Sequence, residues 1–189
     1  MTRDELAAAL RDHAYLEGDF VLRSGKRSRY YLDKYRFETQ PELLAPLGEL
    51  IAGEVAERAP DAARLAAPEL GAVALAAAAS LASGLPFLIV RKEAKEYGTS
   101  KRVEGVYEEG DKVCLVEDVV TSGGALLDSV AALRDVGLIV ETAVCVVDRE
   151  EGGEEALAGH SMELRPIFRV SELLETTKSA PRHRSSMPP

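Results

Sequence analysis

Apolar and polar positions follow two periods along this chain. Between 63 and 147 four short apolar runs recur: ARLAAP (63–68), FLIV (87–90), VCLV (113–116) and TAVCVV (142–147). Each is too short for a stable helix, and most are rich in β-branched residues, so they predict buried strands. Between them, 71–83 and 122–136 carry helical spacing, and on the second Leu126, Val130 and Leu133 share one face. Strands alternating with helices imply right-handed crossovers and a parallel sheet. LRPIFRV (164–170) and SELLET (171–176) add a last strand and a short helix.

The first sixty residues read differently. Thr2 followed by Glu5 is a capping-box signature, and apolar residues at 6, 10 and 14 continue a helical face. FVLRSGKRSRYYLD (20–33) predicts strand, tight glycine turn, strand. Pro41 opens a helix with Leu43, Leu47, Leu50 and Ile51 on one side. The tail TTKSAPRHRSSMPP (176–189) has no periodicity and is expected to be disordered.

Composition narrows the classes. The 189 residues suit one globular domain with a small appendage, and 46% hydrophobic residues supply a core. A net charge of −9 argues against non-specific nucleic-acid binding. No apolar run approaches the roughly 18–20 residues of a membrane span, and the charged N-terminus lacks a signal-peptide apolar core. Cys114 and Cys145 lie inside apolar runs without disulfide or zinc spacing, so they read as buried small hydrophobes in a reduced, cytoplasmic setting. His13, His160 and His183 are scattered and suggest no metal cluster.

The chemistry concentrates in KVCLVEDVVTSGGALLDSV (112–130). An apolar run ends in Glu117 and Asp118, and the small-residue turn Thr121-Ser122-Gly123-Gly124 leads into a helix. Small residues there let backbone N–H groups approach a phosphate, aided by the helix dipole. By itself the turn reads rather as a plain helix start with Ser122 as its cap, and it lacks the Walker and GxGxxG patterns. The acids weigh against the plain reading. Adjacent carboxylates after a buried strand need partners, and a ligand with both hydroxyls and a phosphate supplies them: the acids accept from ribose hydroxyls while the turn holds the phosphate.

VCLVEDVVTSGGA (113–125) resembles the phosphoribosyl pyrophosphate (PRPP) motif of type I phosphoribosyltransferases. RKEAKEYGTSKRVEG (91–105), with five basic residues against three acids, resembles the mobile catalytic loop of the orotate phosphoribosyltransferases. FVLRSGKRSRYYLD resembles that family's base-covering N-terminal element, and VVDREEGG (146–153) its orotate-contacting segment. The resemblance implies an α/β type I phosphoribosyltransferase fold, a central mostly parallel sheet flanked by helices. It implies one domain over 1–175, with about 1–40 forming a small N-terminal hood over the base.

The implied activity is transfer of ribose 5-phosphate from PRPP to orotate, yielding orotidine 5′-monophosphate and pyrophosphate in pyrimidine synthesis. The resemblance carries PRPP binding to Arg23, Arg91, Lys92, Lys95, Tyr97, Glu117, Asp118, Val119, Val120, Thr121, Ser122, Gly123, Gly124 and Ala125, with Lys92, Lys95 and Asp118 catalytic. It carries orotate binding to Tyr31, Leu32, Thr121 and Arg149. Mg²⁺ is implied through PRPP and pyrophosphate, without a dedicated protein metal site. So is a homodimer in which 91–105 reaches the neighbouring site, with neither nucleic acid nor membrane as partner.

The pattern departs in places. In APELGAVALA (67–76), at the family's pyrophosphate loop, Gly71 stands where many members carry Lys and Leu70 where they carry Tyr, so that loop offers no side-chain cation. Tyr97 replaces a common loop histidine, and Arg23 a common lysine. A purine phosphoribosyltransferase shares 113–125 but is not expected to combine RKEAKEYG with DREEGG. A non-catalytic nucleic-acid-binding regulator is disfavoured by the net charge and the intact acid pair.

Overall fold

The computed structural model describes residues 1–21, 25, 27–93 and 101–175. Thr2 caps α1 (Arg3–Ala14) as its spacing predicts: the Glu5 N–H donates to the Thr2 hydroxyl at 3.2 Å, and the Thr2 N–H donates to the Glu5 carboxylate at 2.8 Å. Leu6, Leu10 and Ala14 are buried, as their spacing implies. The chain then forms an antiparallel hairpin, β1 (Tyr15–Val21) with β2 (Arg27–Leu32), a two-stranded sheet of its own. The first strand starts at Tyr15 rather than near Phe20. The Tyr15 ring stacks on Tyr30 at 5.5 Å, a cross-strand aromatic contact that favours pairing that far back. One turn of helix, α2 (Tyr35–Glu38), follows unannounced by any pattern, and α3 (Pro41–Arg58) starts at the expected proline.

The apolar runs become β3 (Arg64–Pro68), β4 (Phe87–Val90), β6 (Lys112–Val120), β7 (Ile139–Asp148) and β8 (Glu163–Arg169). The helices beside them are α4 (Ala72–Ser83), α5 (Gly124–Arg134), α6 (Gly153–Ala158) and α7 (Val170–Glu175). A two-residue strand, β5 (Val103–Glu104), is too short to leave a sequence signature. The sheet order is β5-β4-β3-β6-β7-β8, and only the β4–β5 edge pair is antiparallel. This is the mostly parallel, helix-flanked sheet expected.

One boundary matters for function. The strand at 113 does not stop before the acids: β6 carries Glu117 and Asp118 within it, with Glu117 opposite Cys145 and Val120 opposite Asp148. A partner strand that continues alongside supplies ladder hydrogen bonds, and these outweigh the local polarity of two acids.

Helices cover both faces. Leu47 and Ile51 of α3 and Leu75 of α4 pack with Cys114 and Val116 on one side. Leu126, Val130 and Leu133 of α5 pack with Val113 and Leu115 on the other. Both cysteines are free and fully buried, and burial pushes the Cys114 thiol up to about 12. Where α3 crosses α4, a Cβ on Gly48 would lie 2.7 Å from Ala78 backbone and side-chain carbons, so the helices touch there. Gly48→Ala should therefore cost about 1–3 kcal/mol through overpacking, read as a lowered urea midpoint. An unchanged midpoint would mean that the helices separate freely.

Candidate active site

Parallel sheets bind ligands at the carboxyl edge of their strands. Here four strands deliver residues to that edge. The turn Glu69–Leu70–Gly71 follows β3, with a cis Glu69–Leu70 peptide bond. The 91–105 segment follows β4, the turn 121–123 follows β6, and Arg149 follows β7. From the N-terminal part, α2 and the hairpin reach over the same edge.

The acids form the centre. Glu117 and Asp118 are 8% and 3% exposed, and Glu38 of α2 joins them at 4%. Glu117 accepts the Asp118 N–H at 3.0 Å, and Asp118 accepts the Val119 N–H at 2.6 Å. Among the described residues the side-chain cation that meets them is Lys34, whose Nζ donates to Asp118 Oδ2 at 2.5 Å. Oε1 of Glu38 has no hydrogen-bond partner among the described residues. Desolvation, then the negative Asp118, push Glu38 up to about 8. The same two influences raise Glu117 to about 8. For Lys34, burial works against the charged form, but Asp118, Glu38 and Glu117 together outweigh it and hold the ammonium above its ordinary value.

Gly71 explains a departure seen in the sequence. Its backbone (φ −57°, ψ −59°) would suit any residue. A Cβ there, however, would lie 1.9 Å from Asp118 Oδ2 and 2.5 Å from Lys34 Nζ. The space beside the turn is already filled by an ion pair. The turn itself offers no side-chain cation, and Lys34, the N-cap residue of α2, brings one beside it.

The small-residue turn is not the plain capped helix. Gly123, not Ser122, is the N-cap of α5, and no side chain caps it. Gly123 has φ +79°, and a Cβ would meet Leu157 at 2.9 Å, so glycine is required twice over. Thr121, Ser122, Gly124 and Ala125 are exposed and leave the first N–H groups of α5 open to a ligand, whereas Val119 and Val120 serve the strand.

Arg149 is 7% exposed. Its guanidinium lies 4.9 Å from the Tyr30 ring centroid, one Nη donates to Glu151 at 2.9 Å, and among the described residues Nε has no partner. Tyr30 is thus the tyrosine at Arg149, whereas Tyr31 is exposed against Phe20 and Leu32 is buried in the core. Strand alternation separates neighbours in this way. Lys34, Glu38 and Tyr30 were not singled out from sequence, since nothing local marks them.

The 91–105 segment leaves and rejoins the sheet at one place. The Arg91 N–H donates to the Arg102 carbonyl at 2.7 Å, and Arg102 Nε donates back at 3.2 Å. Arg102 also pairs with Asp128 at 2.7 Å, so it is spent on structure. Glu69 accepts the Lys92 N–H at 3.0 Å with Arg91 nearby at 3.8 Å, and the Lys92 side chain is exposed. Arg23, Lys95 and Tyr97 lie outside the described residues, as does the tail 176–189. Among the described residues no three His, Cys, Asp or Glu side chains are arranged to hold a metal ion, and no helix is long and apolar enough to cross a membrane.

The family model of the phosphoribosyl transferase domain matches residues 36–167. An orotate phosphoribosyltransferase of Methanocella arvoryzae is 49% identical over 157 residues, covering 83% of this chain and 88% of the relative. The crystal structure of orotate phosphoribosyltransferase from Aeropyrum pernix is 32% identical with a TM-score of 0.82, covering 93% and 99% of the two chains. That of the Mycobacterium tuberculosis enzyme in complex with PRPP is 31% identical with a TM-score of 0.76, covering 90% and 98%.

The acid cluster sets a pH dependence. From the ordinary carboxylate value of 4.5 up to about 8, the folded chain holds protons on Glu38 and Glu117 that the unfolded chain has released. Stability must fall as pH rises through that window. Glu38→Gln should melt close to the parent near pH 5 and above it near pH 8.5, flattening the slope. A parallel slope in thermal melts would show that Glu38 holds no such proton.

Proposed function

The chain belongs to the phosphoribosyl transferase family, with orotate phosphoribosyltransferases among its relatives, and we propose that it transfers the ribose 5-phosphate of PRPP to orotate. The products are orotidine 5′-monophosphate and pyrophosphate. The observation that carries this reading is the buried pair Glu117–Asp118 just ahead of the turn 121–123, whose Gly123 starts α5 without a side-chain cap. Acceptors for sugar hydroxyls and donors for a phosphate stand side by side.

In this reading Glu117 and Asp118 accept from the ribose hydroxyls, and N–H groups of 121–125 hold the 5′-phosphate at the positive end of α5. A bond forms between N1 of orotate and ribose C1 as the C1–O bond breaks. That electron pair leaves with pyrophosphate, and the N1 proton goes to solvent. Positive charge grows at C1, and fixed carboxylates favour it. Arg149 exchanges Glu151 for the carboxylate of orotate, which its planar guanidinium fork suits.

Cations favour the departing pyrophosphate: Arg91, Lys92 and, by resemblance, Arg23 and Lys95, while the neutral Tyr97 phenol would donate one hydrogen bond. Hard oxygens suit Mg²⁺, which in this reading would be held mainly by oxygens of PRPP and pyrophosphate. Bound there, Mg²⁺ would neutralise charge on the leaving group. We assign 1–175 to a single transferase domain, about 1–40 of it the hood and 176–189 a tail. We further assign a homodimer in which 91–105 serves the neighbouring site, and a cytoplasmic setting that suits two buried free thiols.

With Mg²⁺, PRPP and orotate, the ultraviolet absorbance of orotate should fall. Turnover with a purine base and none with orotate would overturn the reading. Arg149→Ala should raise the KM for orotate about ten- to a hundredfold, the worth of a charge-assisted hydrogen bond, and leave the KM for PRPP nearly unchanged. Equal losses for both substrates would remove Arg149 from base recognition.

A further inference from the structure

Lys34 stands where the acid cluster, the turn after β3 and open solvent meet. Its side chain is 32% exposed, while that of its partner Asp118 is 4% exposed. The ammonium can therefore leave the pair toward solvent, but Asp118 cannot follow. Three buried carboxyl groups share this corner, and Lys34 is the cation that faces them. The ring of Tyr35 also lies beside its ammonium, 5.5 Å away.

A substrate carrying a pyrophosphate would bring several more negative charges to that corner. Carboxylates alone repel it, by an amount that grows as water is excluded. Gly71 sits next to the ammonium, with its would-be Cβ 2.5 Å from Nζ. The turn can thus bring its backbone, though no side chain, to the same ligand.

We propose that Lys34 is a substrate-binding residue: its ammonium, parked on Asp118 in the space Gly71 leaves open, transfers to a pyrophosphate oxygen when PRPP enters. The transfer exchanges one charge-assisted hydrogen bond for another. It also frees Asp118 to accept from a ribose hydroxyl, so arrival of the phosphate end and readiness of the sugar acceptor are linked. Gly71 has a matching duty, because any side chain there displaces both members of the pair. The inference rests on the phosphoribosyl transfer reading above.

Calorimetric titration of magnesium pyrophosphate into the whole protein tests it, with steady-state kinetics varying PRPP and orotate separately. Lys34→Ala should weaken pyrophosphate binding and raise the KM for PRPP about ten- to a hundredfold, while the KM for orotate moves less than about threefold. Lys34→Arg keeps the charge and should retain most of the affinity. Gly71→Ala should shift the same two quantities in the same direction, which provides a second route should the alanine at 34 fail to fold.

Unchanged pyrophosphate affinity in a Lys34→Ala protein of normal melting temperature would overturn the proposal. So would a uniform loss in every parameter with a lowered melting temperature and no recovery by arginine, which marks a structural residue. Pyrophosphate binding is read without orotate. A parent protein inactive on orotate would therefore sink the functional reading while the calorimetry still judged Lys34.

Discussion

Three carboxyl groups held out of water at the end of a central strand set the terms for this molecule. Glu38, Glu117 and Asp118 are each under 10% exposed, and among the described residues one ammonium, that of Lys34, faces them. Buried charge of one sign must be neutralised by protons, by a cation or by hydrogen bonds. The structure uses all three: raised carboxyl values on two acids, Lys34 on the third, and backbone N–H groups on Glu117 and Asp118. Such an arrangement costs stability above neutral pH, and a ligand with hydroxyl donors would relieve it. Strain placed at a ligand site in this way is a common compromise between folding and function.

Around that centre, rigid and open parts divide the work. β6 pairs with β3 as far as Leu115 and with β7 on through the acids to Val120, so the backbone of the acids is held along the β7 side. The turn at 121–123 has little but backbone to offer, and a left-handed glycine packed against Leu157 keeps it tight. The ends of the 91–105 segment are stitched by mutual Arg91–Arg102 bonds and by Glu69, which fixes where its cations start and return. Charges and open N–H groups fixed at one sheet edge are preorganised, and preorganised electrostatics favour group transfer.

Much of this was legible along the chain. The strand–helix alternation after 60, the capping box at Thr2, the face formed by Leu126, Val130 and Leu133, and the two buried cysteines follow from periodicity and local chemistry, which act over a few residues. The family followed as well, since 113–125 is contiguous and its residue types are dictated by the ligand. Less was legible at the element ends. β6 runs on through its acids because β7 lies beside it, and β1 begins early because Tyr15 meets Tyr30.

What only the tertiary structure decided are the partners distant in sequence. Lys34 and Asp118 are 84 residues apart, and nothing near either residue announces the other. The same holds for Tyr30 beneath Arg149 and for the lack of room at Gly71. The sequence alone establishes which strands and helices form and which chemistry the contiguous motif serves, because propensity and ligand contact are local. Which charge answers which is a property of the packed molecule, because burial removes the water that would otherwise answer them all.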